Sequence, residues 1–215
     1  MARLESCNIH CMPYDYERLF EVIVTAVSGS LTPTERMHSL IAECERQRPH
    51  ADWERLRALE FDLQPHPLTS WITRAMSEAT EGQRYQGIWF GLNNPVRSGA
   101  TTADVYISAG PAFSSDSLDW AHDLTLLPRQ RYLLSPVLAS IYAVAYSSKQ
   151  ALGNDAEYPL VLGYGAMLAR AALELNALPK PMKSVKGAAV GFDSGDALFL
   201  GSFSRGRFRT DVRPA

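Results

Sequence analysis

The 215-residue chain has no run of about 18 apolar residues, the length a helix needs to cross a bilayer, and its opening, MARLESCNIHCMPYDYERLF, lacks the basic-then-apolar plan of a secretory leader. These absences predict a cytoplasmic protein that makes no membrane contact. Cysteine is scarce. Cys7, Cys11 and Cys44 are an odd number in a chain with no export signal, which argues against a disulfide framework. Cys7, His10 and Cys11 could offer three soft ligands, but structural zinc takes four and no second cluster follows, so no metal is expected. Also missing are HExxH, a glycine-rich phosphate loop ending in Lys-Ser/Thr, and GxGxxG between a strand and a helix. No zinc, nucleotide or flavin is therefore expected. His10, His38, His50, His66 and His122 are scattered at spacings that imply no shared site. A constellation assembled only in the fold escapes such a search, so a hydrolase built on Asp and His side chains stays open as the alternative reading.

What is present reads as an ordinary globular chain. It is 46% hydrophobic and 20% charged, enough apolar material to bury a large core over residues 1–215 as a single α+β domain. The net charge of -2 gives no general attraction to a polyanion, so nucleic-acid binding would need a local basic patch. The candidate is the tail SRGRFRTDVR, with Arg205, Arg207, Arg209 and Arg213. A solvated terminus over 205–215 accounts for those arginines, and no nucleic-acid partner is expected.

From about residue 13 to 82 the pattern is helical. Tyr16, Leu19, Phe20, Ile23, Val24 and Val27 fall on one face. Thr32, Pro33 and Glu35 make a capping box ahead of the stripe Met37, Leu40, Ile41 and Cys44. In that stripe Cys44 is a small core residue, while His38 is out of phase and exposed. DWERLRALEF gives a shorter helix, and PLTSWITRAMSEATEG another that stops at Gly82. His66, between Pro65 and Pro67, belongs to a rigid surface connector.

After Gly82 the period changes, and residues 83–204 carry the sheet and two further helices. RYQGIWFGL and TTADVYISA predict a hairpin with a loop of about eight to ten residues, longer than usual. GAAVGF and ALFLGSF flank Asp193, Ser194, Gly195 and Asp196, the chemistry of a tight turn. The sheet is expected to be mainly antiparallel, from strands near 85–92, 102–109, 187–192 and 197–203. SPVLASIYAVAYSSK opens with Ser135 as cap and Pro136 at the first helical position, and EYPLVLGYGAMLARAALELNAL continues as a second helix. Both are expected to cover the sheet. Gly163 and Gly165 predict either close approach of another backbone or a kink.

Acid is unevenly placed. Between Arg97 and Arg129 there is no Lys or Arg, yet Asp104, Asp116, Asp119 and Asp123 lie there, the last three in FSSDSLDWAHD. Asp155 and Glu157 follow in LGNDAEYP, and Asp193 and Asp196 in the turn. If these loops gather on one sheet edge, they form a negative surface able to steer a cationic partner; otherwise they are caps and turn formers, Asp155 among them. Trp120, amid the acidic loop, is either an interface anchor or a plug that holds its loop on the core. The partner-binding candidates are thus Asp116, Asp119, Trp120, Asp123, Asp155 and Glu157.

The stretch ALGNDAEYPLVLGYGAMLARAALE followed by GAAVGFDSGDALFLGSF resembles bacterial cytoplasmic proteins that act as immunity partners of secreted antibacterial toxins. The resemblance covers the C-terminal half and rests on no defining motif. It implies an inhibitor that binds its cognate toxin and blocks the active site or substrate access, with no catalytic residue and no cofactor of its own.

Overall fold

The computed structural model describes residues 14–175, 178–193 and 195–215; Cys7, His10, Cys11 and Ser194 lie outside them. The helical pattern appears as α1 (Tyr16–Ser28), α2 (Pro33–Gln47), α3 (Asp52–Arg57) and α4 (Pro65–Met76). Asp15 caps α1 by accepting from the Arg18 amide at 2.9 Å. Thr32 and Glu35 cap α2 reciprocally, each side chain taking the other residue's amide. Cys44 is fully buried. His38 corrects the sequence reading, because it is half-buried with Nε2 3.0 Å from the Arg57 carbonyl. His66 does too. Pro65 and Pro67 both fit the first turn of α4, where amides have no helical acceptor, so His66 is an exposed helical residue and not a connector.

A six-stranded sheet together with the helices makes the chain α+β. Its strands are β1 (Gly87–Asn93), β4 (Asp104–Gly110), β5 (Tyr132–Leu133), β6 (Gly187–Phe192), β7 (Ala197–Ser204) and β8 (Arg207–Pro214), ordered β5-β4-β1-β6-β7-β8. Every neighbouring pair is antiparallel except β1 and β6. The long loop between β1 and β4 carries its own ribbon of β2 (Val96–Arg97) and β3 (Ala100–Thr101). β8 overturns the solvated-tail reading. Arg205 and Gly206, at φ 50 and 75, form a two-residue turn that brings the tail back along β7. Phe208 and Val212 then pack on the core while Arg207 and Arg209 stay exposed.

The two later helices are α5 (Pro136–Ala145) and α6 (Asn154–Glu174). Ser135 caps α5 through the Leu138 amide at 3.3 Å, as expected. α6 is buried on all sides, with apolar residues around its whole circumference, so it must be covered from both directions. The sheet covers one side; α1, α2, α4 and α5 cover the other. α5 therefore packs on α6 and α3, where the sequence reading had placed it on the sheet. Gly163 and Gly165 permit the sandwich. A Cβ at Gly163 would press on Leu40 of α2 at 2.8 Å, and one at Gly165 on Leu92 of β1 at 2.5 Å. The close approach is by side chains from both layers.

The second face of the sheet is covered by the loop after β4. Trp89, Trp120, Ala189, Ala197 and Phe199 form a separate small core there, with Phe113 packed against it. Gly87 lies directly beneath the indole of Trp120, with no space for a Cβ between them.

Candidate functional site

The first turn of α6, the end of β1, the β6–β7 turn and the start of α1 meet at one end of the sheet. α6 begins after Gly153, which reaches φ 57, and carries Asp155 and Glu157 at its positive end. Pro159 sits inside the helix and has no amide proton to give the Asp155 carbonyl. The Tyr14 hydroxyl donates to that carbonyl instead, at 2.7 Å. The Asp155 carboxylate, 7% exposed, accepts from the Tyr16 hydroxyl at 2.8 Å and pairs with Arg48. Asp155 is thus a tertiary junction rather than the simple cap its position suggested.

Glu157, 6% exposed, accepts from the Asn94 amide and from the Tyr146 hydroxyl, the latter at 2.5 Å. The β6–β7 turn is held from both faces of the sheet. Tyr158 of α6 donates to Asp196 at 2.6 Å on the helical side, and Tyr106 of β4 donates to Asp193 at 2.5 Å on the other. Rings link these pairs. Tyr14 meets Tyr16 edge-on at 5.1 Å, Tyr16 meets Tyr158 at 5.5 Å, and Tyr158 stacks on Phe192 at 6.1 Å. Between them opens a shallow cleft of about 370 Å³ lined by Asn94, Glu157, Tyr158, Phe192 and Asp196 among others.

Burial, and then the bond to each carboxylate, push the hydroxyls of Tyr106, Tyr146 and Tyr158 above the ordinary phenol value. They remain neutral donors at physiological pH. Asp155 is compensated by Arg48, and Asp104, also buried, by Arg97 at 2.7 Å. Among the described residues, Glu157, Asp193 and Asp196 meet Tyr and Asn donors and no cation. The arrangement is a rigid, tyrosine-lined surface that keeps a net negative charge.

The single acidic edge contemplated from sequence is in fact two groups. Asp155 and Glu157 do come together with Asp193 and Asp196. Asp116, Asp119 and Asp123 are exposed on the covering loop, toward the opposite end of the sheet where Gly87, Gly110 and Gly187 align. Asp116 shares a cleft there with Lys186 and Arg213. Arg213 lies 4.9 Å over the Phe199 ring and donates to the Ser115 carbonyl at 2.8 Å. Trp120 is 5% exposed, 5.3 Å from Phe113, and plugs its loop onto the sheet.

Sequence reasoning missed the tyrosines and Arg48, because each finds its acceptor on another element of the fold; the only local signal was Tyr158 immediately after Glu157. His50 is committed elsewhere. Its Nδ1 accepts from the Asp52 amide at 3.1 Å and its Nε2 lies 3.0 Å from the Gln150 carbonyl, which assigns the ring proton to Nε2. Among the described residues, no three or more His, Cys, Asp or Glu side chains are arranged to hold a metal ion. No helix among them is long and apolar enough to cross a membrane.

Compared with protein-family models, curated proteins and solved structures, the chain matches none.

Proposed function

We propose that the chain is an immunity-type binding protein, one that neutralises a cationic protein toxin by covering its active site or the path to it, and that the tyrosine–carboxylate end is its contact surface. The observation that carries this reading is the set of tyrosine hydroxyls fixed on Asp155, Glu157, Asp193 and Asp196 at one end of the sheet. Uncompensated carboxylates speed encounter with a cation-rich partner. Tyrosine rings offer large amphipathic contact area, and rings already held by hydrogen bonds lose little further freedom on binding. The hydrolase alternative would need a histidine beside the carboxylates, and among the described residues none lines the cleft that holds Glu157 and Asp196.

Co-purification from the native host, followed by assay of any stoichiometric partner for toxicity with and without the chain, tests this directly. The expected result is a complex whose association slows, and loses salt dependence, when Asp193→Asn and Asp196→Asn are combined. Asp116→Asn, Asp119→Asn and Asp123→Asn together test the other acidic group and should have the smaller effect. Repeated preparations without a stoichiometric partner, or unchanged association in a stably folded Asp193/Asp196 variant, overturn the proposal.

A further inference from the structure

A second cleft, of about 650 Å³, opens on the helical side of the molecule, where the α3–α4 connection and the β5–α5 junction rise over α6. That volume lies within the ~300–1,000 Å³ typical of small-ligand sites. Leu59, Leu68, Leu133, Leu134 and Val137 form its walls above Leu168. Leu134 is 63% exposed, a large apolar side chain left facing water.

The polar groups here differ from those at the tyrosine end. There, hydroxyl and carboxylate satisfy each other. Here Ser135 caps α5 and the Tyr164 hydroxyl donates to the Asp62 carbonyl at 3.1 Å. The side chains of Glu60, Asp62, Gln64 and Ser140 make no hydrogen bond or ion pair among the described residues. Glu60 and Asp62 are exposed at the rim, and among the described residues no Lys, Arg or His lines the cleft. The negative rim complements the start of α4, but that helix end does not require an apolar recess with uncommitted polar groups around it.

We propose that this cleft binds an amphiphilic amine, a ligand with an alkyl or aryl body and one protonated amino group. The body displaces water from the leucine-lined walls, and the ammonium meets Glu60 and Asp62. An anion of the same shape is repelled by those carboxylates, and a neutral one gains nothing from them. The site is independent of the toxin-binding surface proposed above.

Octylamine, octanol and octanoate share a chain and differ in head group, so titration by calorimetry or amide-shift NMR reads both halves of the proposal. Octylamine is expected to bind saturably and at least about tenfold more tightly than octanoate, a gap of roughly 1.4 kcal/mol. Glu60→Gln with Asp62→Asn should lower octylamine to the octanol level. Leu134→Arg, at an exposed position, should weaken it by placing a cation at the cleft mouth, and Val137→Trp should exclude all three probes by filling it. Asp193→Asn with Asp196→Asn should leave octylamine unchanged, which separates this cleft from the tyrosine end. The proposal is overturned by equal affinity for octylamine and octanoate, by absence of saturable binding, by octylamine binding that survives the Glu60/Asp62 or Leu134 variants, or by a Glu60/Asp62 variant that changes thermal stability alone.

Discussion

The Tyr14 hydroxyl lies 2.7 Å from the Asp155 carbonyl, the acceptor that Pro159 leaves without its helical donor. A phenol from outside the helix thus replaces a backbone amide inside it. The substitution ties the segment before α1 to the first turn of α6, and with it Glu157 and Tyr158.

This relation predicts a coupling. Tyr14→Phe should cost about 1–3 kcal/mol, the penalty of leaving a buried acceptor unmet. In a Pro159→Ala chain, the amide of residue 159 can supply the bond, and the same change should cost much less. Any effect of Pro159→Ala on the unfolded ensemble cancels in the double-mutant cycle. Urea unfolding of the four proteins gives the coupling energy; equal costs of Tyr14→Phe in both backgrounds would show that the hydroxyl is not replacing the helical donor.

Alkaline pH should unfold the chain through its phenols. The Tyr106, Tyr146 and Tyr158 hydroxyls are raised by burial and then by their carboxylate partners, and burial, followed by the nearby Asp62 charge, pushes Tyr164 up to about 12. Each group holds its proton more tightly folded than unfolded, so above about pH 10 the unfolded chain releases protons that the folded chain keeps. The stabilisation is complete below the unfolded value and is lost as the pH rises through the folded ones. Cys44, pushed up to about 12 by burial, adds to the same loss from a lower starting point. Tyrosinate absorbance from these groups should therefore appear above the ordinary phenol range and together with loss of the circular dichroism signal. A single step near pH 10 in a chain that stays folded would contradict the geometry.

The parts of this architecture that were readable in sequence are those whose cause is local. The stripe from Leu19 to Val27, the Thr32–Glu35 box and the Ser135–Pro136 start are set by neighbours within one or two turns, and they stand as read. So do β6 and β7 on either side of their connection. β8 was missed because Arg207, Arg209 and Arg213 dominate the segment, although Phe208, Thr210 and Val212 alternate beneath them. The site was missed for another reason. Tyr16 belongs by spacing to the buried face of α1, yet it is 38% exposed with its hydroxyl on Asp155, 139 positions away. A tyrosine fits either role, and only tertiary placement decides between them.

Gly91 is required by Tyr106. The ring of Tyr106 crosses the neighbouring strand on its way to Asp193, and a Cβ at position 91 would fall inside the ring. Gly91→Ala should therefore cost about 1–3 kcal/mol as an overpacking change. In a Tyr106→Ala background, which also releases Asp193 from its donor, Gly91→Ala should cost much less. Strict additivity of the two substitutions in a denaturant series would mean that ring and backbone do not compete for the same space.

Trp120 decides what holds the covering loop. The indole is 5% exposed, rests on Gly87 and meets Phe113 at 5.3 Å, while its Nε1 is buried without a hydrogen-bond partner among the described residues. Trp120→Ala empties the centre of the small second core and should cost about 3–5 kcal/mol, as large buried aromatics do. Trp120→Phe keeps a ring against Gly87 and removes the unmet donor, whose burial itself carries a penalty. The phenylalanine variant should therefore retain most of the native stability, and the loop carrying Asp116, Asp119 and Asp123 should stay protected from protease in it and become cleavable in the alanine variant. A surface anchor would behave differently, since its removal should alter folding by no more than about 0.5 kcal/mol. An alanine variant of native stability would therefore place the indole at the surface and return Trp120 to the partner-binding candidates.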